Sequence, residues 1–325
     1  MGTKVLVIGA NGQLGLVLTK ALQDRYGIKN VVASDLRKQE NYHGNFEIID
    51  ATDRSRIEEI VNKYKINQIY HLAAILSAKG EEHPLDTWDI NMKTLFNVLE
   101  VARENKIDKV FFPSSIAVFG EEAPLENTPG NAYLNPATVY GISKAAGENW
   151  AQYYFLKYDL DVRSIRYPGV IGYQSLPGGG TTDYAVDIYH KAVQGQEFHC
   201  FLEASTTLPM IFMEDVIRAT IELMDAPREK IKVRTSYNVA GMSFSPSEVV
   251  EEIRKFYPDF KVNYEPDFRQ KIASKWPRSI DDSQAANDWG WKSHFDLRSM
   301  TEVMIGKLKE KYKVDNNKKI VSGAK

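Results

Sequence analysis

The chain of 325 residues has a single cysteine, Cys200, and few histidines. One thiol cannot form a disulfide within the chain and has no second thiol with which to build a zinc site. We therefore expect Cys200 to be a buried, inert side chain in a reducing compartment. The six histidines are scattered without the spacing of metal ligands, so no metal is expected.

The sequence also lacks an excess of charge of one sign and long apolar runs. Its 41 basic and 43 acidic residues give a formal net charge of -2, which argues against nucleic acid or an anionic membrane as partner. Nowhere do about 18 apolar residues run together, as a membrane-spanning helix requires. Because residues 1–4 lead directly into an apolar run, we expect no leader sequence. We expect a cytoplasmic protein that binds a small molecule.

A glycine-rich turn follows the first apolar run. Gly9, Gly12 and Gly15 are spaced so that the turn is tight and backbone N–H groups can approach a pyrophosphate. Twenty residues after Gly15, Asp35 ends the second predicted strand, where its carboxylate can bind the ribose hydroxyls of NAD and repel the 2′-phosphate of NADP. NAD is therefore favoured, although Arg37 could bind a phosphate, which leaves NADP open.

Apolar runs alternate with helical patterns over the first half of the chain. The predicted strands cover residues 4–9, 30–34, 46–49, 68–74, 109–115 and 162–167, and long helices are predicted over 84–105 and 138–158. This order predicts an α/β fold of the Rossmann type, a doubly wound parallel sheet with ligands at the carboxyl ends of its strands. Asp50, at the end of the third strand, is placed to meet the adenine.

The elements become shorter and less regular after residue 170, which predicts a smaller α/β lobe for the substrate. We divide the chain into an NAD-binding domain with the catalytic residues (1–170), a region that is mainly the substrate-binding lobe (171–312), and a frayed polar tail (313–325).

A tyrosine and a lysine on the second long helix are suited to moving a proton. Tyr140 and Lys144 are four residues apart and therefore share a helix face. The spacing alone carries little weight, because two other pairs repeat it: Tyr153 with Lys157, and Tyr257 with Lys261. Only Tyr140 has a serine 25 residues earlier, at the end of a predicted strand. Ser115, Tyr140 and Lys144 are therefore the predicted catalytic residues.

These residues predict the oxidation of an alcohol. Tyr140 can serve as general base near neutral pH only if its pKa, normally about 10, falls by roughly two to three units. We expect the charges of Lys144 and of an oxidised nicotinamide to outweigh the opposing effect of burial. Ser115 would hold the substrate hydroxyl, Tyr140 would take its proton, and the adjacent C–H would give hydride to the nicotinamide. Lys144 would also hold the nicotinamide ribose.

The motifs together resemble those of the extended short-chain dehydrogenases/reductases over essentially the whole chain. The resemblance is carried by Gly9-x-x-Gly12-x-x-Gly15, Asp35, Asp50, His71-Leu72-Ala73-Ala74, Asn91, Ser115, Tyr140-x-x-x-Lys144 and Tyr167-Pro168. It implies that Asn91 supports the proton relay near Lys144, and that the chain forms a homodimer through the helices that begin at Pro84 and Thr138. It also implies further cofactor contacts from Asn11, Gln13, Leu14, Leu36, Arg37, Ala51, Leu72, Ala73, Ala74, Tyr140, Lys144, Tyr167 and Val170.

Within that family, the segment over residues 177–186 resembles the short-chain-type L-threonine 3-dehydrogenases. Its glycines lead to a helix predicted to begin near Thr181 and Thr182, where hydroxyls, unpaired N–H groups and the positive helix end can bind a carboxylate. Asp183 could pair with the substrate ammonium, and Ser77 resembles another substrate contact. The segment thus predicts NAD-dependent oxidation of the β-hydroxyl of L-threonine to 2-amino-3-oxobutyrate, a step of threonine catabolism. Alternatively, the glycines form a surface loop and a threonine merely caps the helix.

Two other functions remain open. A nucleotide-sugar epimerase or dehydratase would use the same serine, tyrosine and lysine. Such enzymes usually resemble Arg-Tyr-Phe-Asn-Pro after the sixth strand, where this chain has Arg166-Tyr167-Pro168-Gly169-Val170, and dehydratases tend to have Asp-Glu where Ile116-Ala117 follows Ser115. Outside enzymes, an NAD-sensing regulator of the same fold is possible, but such proteins often lack the tyrosine or the lysine.

Overall fold

The computed structural model describes residues 2–40, 42–178 and 180–322, without the side chains of residues 77, 78 and 314–322. The strands are β1 (Val5–Ile8), β2 (Val31–Asp35), β3 (Asn45–Ile48), β4 (Gln68–His71), β5 (Lys109–Ser115), β6 (Val162–Tyr167), β7 (Gly169–Ile171), β8 (Phe198–Cys200), β9 (Leu208–Phe212), β10 (Tyr237–Asn238), β11 (Met242–Phe244) and β12 (Val262–Tyr264). The helices are α1 (Gln13–Tyr26), α2 (Arg54–Tyr64), α3 (Ser77–Gly80), α4 (Pro84–Glu104), α5 (Val139–Tyr158), α6 (Tyr184–Val193), α7 (Met213–Asp225), α8 (Pro246–Arg254), α9 (Phe268–Ala273), α10 (Ser283–Trp289) and α11 (Leu297–Ser322).

A seven-stranded sheet in the order β3-β2-β1-β4-β5-β6-β10 organises the molecule, and every neighbouring pair in it is parallel. Strands β1, β4 and β6 are buried along their whole length, as expected when helices cover both faces of a sheet. On one face α1 and α7 contribute to the core, and on the other face α2, α4 and α5 do. The prediction of a doubly wound, Rossmann-type parallel sheet is confirmed.

The smaller elements form a second core beside this sheet. A three-stranded sheet β11-β9-β7 and the pair β12-β8 pack with α6, α8 and α11. The C-terminal part of the chain also contributes to the large sheet, because β10 extends its edge next to β6 and α7 covers one of its faces. The division of the chain at residue 170 stays a prediction. Strand β10 and helix α7 follow residue 170 in sequence but pack with the sheet of the first part.

Several boundaries differ from the sequence prediction. Strand β4 ends at His71, so 72–74 form the connection that leaves the carboxyl end of the sheet. Helix α6 begins at Tyr184, after a turn over 181–183, and therefore later than predicted. Helix α11 continues to Ser322, so the backbone is helical over most of the segment predicted to be a frayed tail.

Two further observations bear on the expectations from composition. Cys200 is fully buried, and burial raises the pKa of its thiol to about 11, which keeps it in the unreactive protonated form. No helix among the described residues is both long and apolar enough to cross a membrane.

Candidate active site

The turn between β1 and α1 has room only for glycine at its critical points. Gly9 has a φ of +89°, and a Cβ there would lie 2.7 Å from the backbone nitrogen of Ala73. A Cβ on Gly15 would overlap the carbonyl oxygen of Gly9. The two glycines therefore let α1 start directly against the carboxyl ends of β1 and β4.

The start of α1 is suited to an anion. In the described part of the chain its N-cap, Gly12, offers no capping side chain, and the first turn carries no acidic residue. The N–H groups of that turn and the positive helix end are thus available to a phosphate group. Gly12, Gln13 and Leu14 line a cleft over the carboxyl ends of the central strands. The turn fits the pyrophosphate of a dinucleotide.

Asp35 is held in place at the end of β2. Its Oδ2 accepts a hydrogen bond from the backbone N–H of Asn11 (2.9 Å), and its Oδ1 accepts one from Leu36 N–H (2.8 Å). The side chain of Asn11 donates to the carbonyl of Arg37 (2.6 Å), which ties the glycine turn to the segment after β2. This arrangement fits a ribose-binding carboxylate beside the turn.

Asp50 is exposed after β3 and makes a local turn. Its Oδ1 accepts hydrogen bonds from the backbone N–H and the hydroxyl of Thr52, both at 2.8 Å, and these bonds lower the pKa of its carboxyl group. The next residue, Ala51, is buried, and its carbonyl accepts a hydrogen bond from Asn97. Their contact with adenine stays a prediction.

A cleft of about 280 Å³ lies over the carboxyl ends of the central strands. It brings together the glycine turn, the predicted catalytic residues and the predicted substrate residues from distant parts of the chain. The predicted site residues that line it are Gly9, Gly12, Gln13, Leu14, Gly15, Leu72, Ala74, Ser115, Tyr140, Lys144, Tyr167, Val170, Thr181, Thr182 and Asp183. Asn11, Asp35, Leu36, Arg37, Asp50, Ala51, Ala73 and Asn91 are not among the residues that line it.

The serine and the tyrosine meet because α5 packs closely against the end of β5. Thr138 caps α5 by accepting a hydrogen bond from Gly141 N–H (3.1 Å), and a Cβ on Gly141 would overlap the carbonyl of Ala117. This close approach places Tyr140 beside the residue that ends β5. The Ser115 side chain is close enough to the Tyr140 phenol to lower its pKa. The sequence offset of 25 residues therefore corresponds to a real contact.

Lys144 lies one helical turn after Tyr140 and is buried. Its Nζ donates to the carbonyl of Pro113 (2.7 Å) and lies 4.6 Å from the ring centroid of Phe112 and 5.5 Å from that of Tyr140. Burial lowers the pKa of Lys144 to about 7, and the charge of Glu148 opposes this shift.

In the protein chain alone the pKa of Tyr140 is higher than its ordinary value, and its expected lowering by Lys144 together with an oxidised nicotinamide stays a prediction. Burial raises the pKa of Tyr140 to about 12, and the Ser115 side chain opposes that rise only in part. The lysine cannot reverse the effect, because it shares the same poorly solvated surroundings and is itself pushed towards its neutral form. Deprotonation of Tyr140 near neutral pH therefore requires positive charge beyond that of Lys144.

Asn91 holds the backbone near Lys144. Its Oδ1 accepts from Ile75 N–H (2.8 Å), and its Nδ2 donates to the Ile75 carbonyl (3.1 Å) and to Ser143 Oγ (3.3 Å). A small cavity of about 10 Å³ separates Asn91 from Lys144, with His71 on its wall. Such a volume is close to the minimum for one water molecule. The role of Asn91 in a proton relay stays a prediction.

Three of the predicted substrate residues, Thr181, Thr182 and Asp183, also line the cleft. Thr181 is 2% exposed, and its hydroxyl has no hydrogen-bond partner among the described residues. The Oδ2 atom of Asp183 accepts from the N–H groups of Gly178 (2.7 Å) and Gly180 (2.8 Å), so this carboxylate shapes the glycine loop. The side chain of Ser77, the remaining predicted substrate contact, lies outside the described residues.

Several residues that line the cleft were not predicted from the sequence, among them Trp276 and Gly169. Trp276, between α9 and α10, is 8% exposed and lines the cleft although it is far from the catalytic residues in sequence. Gly169 allows close packing, because a Cβ there would lie 2.8 Å from the Cβ of Thr182. The Pro-Gly pair after β6 was a visible signal for the glycine, whereas no motif marked Trp276.

Comparison with known proteins now identifies the family. The profile of the NAD dependent epimerase/dehydratase family matches residues 5–240. The chain belongs to this family. An uncharacterized epimerase/dehydratase of Staphylococcus saprophyticus is 46% identical to this family member over 96% of the chain and 99% of the relative. NAD is the cofactor of the family, so the prediction of NAD is confirmed.

Two solved structures extend the comparison. A GalE-like L-threonine dehydrogenase from Cupriavidus necator in its holo form is 51% identical, with a TM-score of 0.93 over 94% of this chain and 100% of that one. A structure described as a monomeric L-threonine 3-dehydrogenase from a metagenome, in its apo form, is 50% identical, with a TM-score of 0.92 over 94% and 99% of the two chains. The resemblance inferred from the sequence motifs is confirmed, and this epimerase/dehydratase-family protein is an enzyme.

Proposed function

We propose that this protein oxidises the β-hydroxyl of L-threonine to 2-amino-3-oxobutyrate with NAD. The observation that carries the proposal is the arrangement of the cleft. Ser115 and Tyr140 line it together with Thr181, whose buried hydroxyl has no hydrogen-bond partner among the described residues. The serine and the tyrosine are suited to an alcohol, and the threonine hydroxyl is available to a carboxylate. The related solved structures, which are described as L-threonine dehydrogenases, support the same substrate.

The proposed reaction removes a proton from the threonine hydroxyl and a hydride from the carbon that carries it. Ser115 holds the hydroxyl, and Tyr140 accepts the proton at its phenol oxygen. Lys144 lies against the ring of Tyr140 and places a cation beside the developing phenolate. Bound NAD supplies the oxidising power, because its positively charged nicotinamide accepts the hydride. The alcohol becomes a ketone, and the electron count balances.

Because Tyr140 is buried, ionisation of its phenol is the step of the proposed reaction that is most sensitive to nearby charge. In the protein chain alone the pKa of Tyr140 is about 12, so only a small fraction of the phenol would be ionised near neutral pH. The positive charge of the oxidised cofactor is an additional influence that favours the phenolate. We therefore propose that proton removal depends on the oxidised cofactor being bound.

The substrate end of the site would distinguish threonine from larger substrates. We propose that Thr181 and Thr182 bind the carboxylate, with Trp276 as the facing wall. Asp183 already accepts two backbone hydrogen bonds from the glycine loop. Its contact with the substrate ammonium would therefore be made by a carboxylate that is held in position.

The alternative is a nucleotide-sugar epimerase or dehydratase with the same Ser115, Tyr140 and Lys144. The close packing of Gly169 against Thr182 argues against this alternative. In such enzymes an asparagine usually occupies this position, and here even a Cβ would lie 2.8 Å from Thr182. An NAD-sensing regulator is the non-enzymatic alternative, and the presence of both Tyr140 and Lys144 weighs against it.

The test is a spectrophotometric assay of NADH formation with the purified full chain. We expect NADH to form with L-threonine and NAD, and NADP to support much less turnover. UDP-glucose and UDP-galactose, incubated with the same enzyme and analysed by chromatography, should remain unchanged. Conversion of either nucleotide sugar without oxidation of threonine would favour the alternative enzyme. Tight NAD binding without turnover of any of them would favour the regulator.

We also propose a cytoplasmic homodimer that acts in threonine catabolism. The faces of α4 and α5 carry large exposed apolar side chains, namely Leu85, Ile90, Ile142, Trp150, Tyr153, Leu156 and Tyr158. Pairing these faces between two copies would remove that surface from water. A related structure is described as monomeric, and measurement of the oligomeric state in solution tests the homodimer.

A further inference from the structure

A buried carboxylate lies one helical turn beyond Lys144. Tyr140, Lys144 and Glu148 follow one another at intervals of four residues on α5 and therefore share one face of the helix. Glu148 is 0% exposed. Its Oε1 accepts hydrogen bonds from Ser114 Oγ (2.5 Å) and Arg166 Nε (2.8 Å), and its Oε2 accepts one from Arg166 Nη2 (2.7 Å). Hydrogen bonds that involve a charged partner are strong, so these contacts hold the Glu148 carboxylate in one position although it is out of contact with water.

The partner of Glu148 is fixed from several elements. Arg166 on β6 is 2% exposed, and its Nη1 donates to the carbonyl of Gly130 (2.7 Å) and to Asn238 Oδ1 (3.3 Å). Its guanidinium carbon lies 5.1 Å from the ring centroid of Phe119. Removing two charges from water is costly, and such pairs are often no more stabilising than well-packed apolar side chains. A buried pair beside a catalytic lysine therefore suggests a role beyond stability.

The groups that face Lys144 come from every element packed around it. Helix α5 contributes Tyr140 and Glu148, and strand β5 contributes the ring of Phe112 and the carbonyl of Pro113. Strand β4 contributes His71, whose pKa is lowered to about 3 by burial and by the charge of Lys144, and α4 contributes the uncharged Asn91. Strand β6 contributes Arg166, which is bonded to Glu148. His71 is neutral near pH 7, so Glu148 is the carboxylate in this set that can balance the cation.

We propose that Glu148, held by Arg166 and Ser114, is a positioning residue that keeps Lys144 in its cationic form beside Tyr140. Burial favours loss of the lysine proton, and the charge of Glu148 acts in the opposite direction. Arg166 is needed because its guanidinium holds the Glu148 carboxylate in place on the face of α5 that also carries Lys144. The proposal rests on the proposed function in one respect only, namely that Lys144 assists Tyr140 in proton transfer.

The first experiment measures the lysine directly in the cofactor-free protein. Lysines are labelled with ¹³C at Cε, the Lys144 resonance is assigned with Lys144→Arg, and its chemical shift is followed against pH. We expect the pKa of Lys144 to fall by about one unit in Glu148→Gln, because one pKa unit corresponds to the loss of one moderate charge interaction. An unchanged pKa would overturn the proposal. No substrate is present, so a failed threonine assay would not affect this result.

The matched control is a second buried ion pair, whose arginine, Arg163, lies on β6 as Arg166 does. Asp161 accepts hydrogen bonds from Arg163 Nη2 (2.7 Å) and from Arg234, and both Asp161 and Arg163 are buried. Asp161→Asn should disturb the fold as much as Glu148→Gln but leave the pKa of Lys144 unchanged. If Asp161→Asn shifts the Lys144 pKa equally, the effect is general destabilisation and the proposal fails.

Glu148→Gln leaves Arg166 unpaired in the core, and that variant can fail to fold. The double variant Glu148→Gln/Arg166→Gln removes both charges, leaves two amides that can bond to each other, and is judged by the same titration. In the variant that folds, we also expect the decline of kcat/KM at alkaline pH to begin about one pH unit lower than in the wild-type protein. At a given pH within this decline, kcat/KM should be about tenfold lower. A uniform loss at all pH values, with the shape of the profile unchanged, would show a merely structural role and overturn the proposal.

Discussion

Three titratable side chains around the cleft are pushed towards their neutral forms by burial. The pKa of Tyr140 is raised to about 12, that of Lys144 is lowered to about 7, and that of His71 is lowered to about 3. In each case the charged form loses its hydration, and the neighbouring dipoles replace only part of it. The same poorly solvated surroundings strengthen every charge interaction in the site. Added or removed charges should therefore have large effects on catalysis.

Replacing the phenol of Tyr140 tests the proton acceptor. Tyr140→Phe removes one oxygen, so we expect kcat/KM for L-threonine to fall by roughly 10²–10⁴-fold. NAD affinity, measured by calorimetry, should change little. Tyr153→Phe is the matched control, because Tyr153 has the same spacing to a lysine and a 2.6 Å hydrogen bond with Lys157, but it is exposed. Full activity in Tyr140→Phe would contradict the mechanism.

His71 makes the fold sensitive to acid. Its pKa in the folded state is about 3, whereas an unfolded histidine titrates near 6.5, so the unfolded chain binds more protons between these values. Stability should therefore be lost as pH falls from about 6.5 to 3, by at most about 1.4 kcal/mol per pH unit from this group. In His71→Gln we expect a shallower dependence of the unfolding free energy on pH, measured by urea denaturation. The exposed His199→Gln should keep the wild-type slope.

At the scale of elements, the beginning of α6 determines the substrate end of the cleft. Thr181 and Thr182 precede the helix instead of forming its first turn, because Asp183 is the N-cap residue and the helix begins at Tyr184. The two threonines thus lie in a turn packed against β7. Their hydroxyls remain candidates for the carboxylate, but the helix N–H groups that the sequence suggested lie further along the chain.

Thr181→Val separates binding from folding. The substitution removes a buried hydroxyl that has no partner among the described residues, so the melting temperature should be unchanged or slightly higher. If this hydroxyl binds the substrate carboxylate, KM for L-threonine should rise by about tenfold or more, since a hydrogen bond to a charged group contributes about 1.5–3 kcal/mol. Thr206→Val, whose hydroxyl bonds to Gln270 instead, should leave KM unchanged. An unchanged KM in Thr181→Val would remove this residue from the substrate site.

At the scale of the whole molecule, α4 and α5 carry exposed apolar side chains that the cleft does not explain. Leu85 and Leu156 are 79% and 73% exposed, and aromatic side chains lie near them in sequence. Large contiguous apolar surface on a protein of this size usually marks an interface. The glycine turn and the predicted catalytic residues that line the cleft all come from one chain. We therefore expect dimerisation to affect stability more than chemistry.

Leu156→Glu tests the interface. We expect the wild-type chain to sediment as a dimer in analytical ultracentrifugation, and the variant to sediment as a monomer, because a carboxylate cannot be buried there without a partner. Phe268→Glu, a substitution of a residue that is equally apolar and 60% exposed on α9, should remain dimeric. A monomeric wild-type protein would contradict the homodimer.

The sequence by itself determined the features that depend on local order. The parallel sheet follows from alternating strands and helices, and the sheet brings strand ends together, so Asp35, Ser115 and the glycine turn could be placed at one edge. The spacing of Tyr140 and Lys144 follows from the pitch of one helix. The choice of NAD rested on the same kind of local pattern. These predictions succeeded because the interactions that fix them lie within a few residues or within one βα unit.

Only the tertiary structure decided how buried the site is and what surrounds it. The pKa of Tyr140 could not be predicted from its distance to a lysine, because the loss of hydration depends on strands and helices from the whole chain. Trp276 and the Arg166 partner of Glu148 reach the site through packing between segments that are far apart in sequence. The edge strand β10 joins the large sheet for the same reason. Such contacts are set by the fit of distant surfaces, which no local pattern in the sequence encodes.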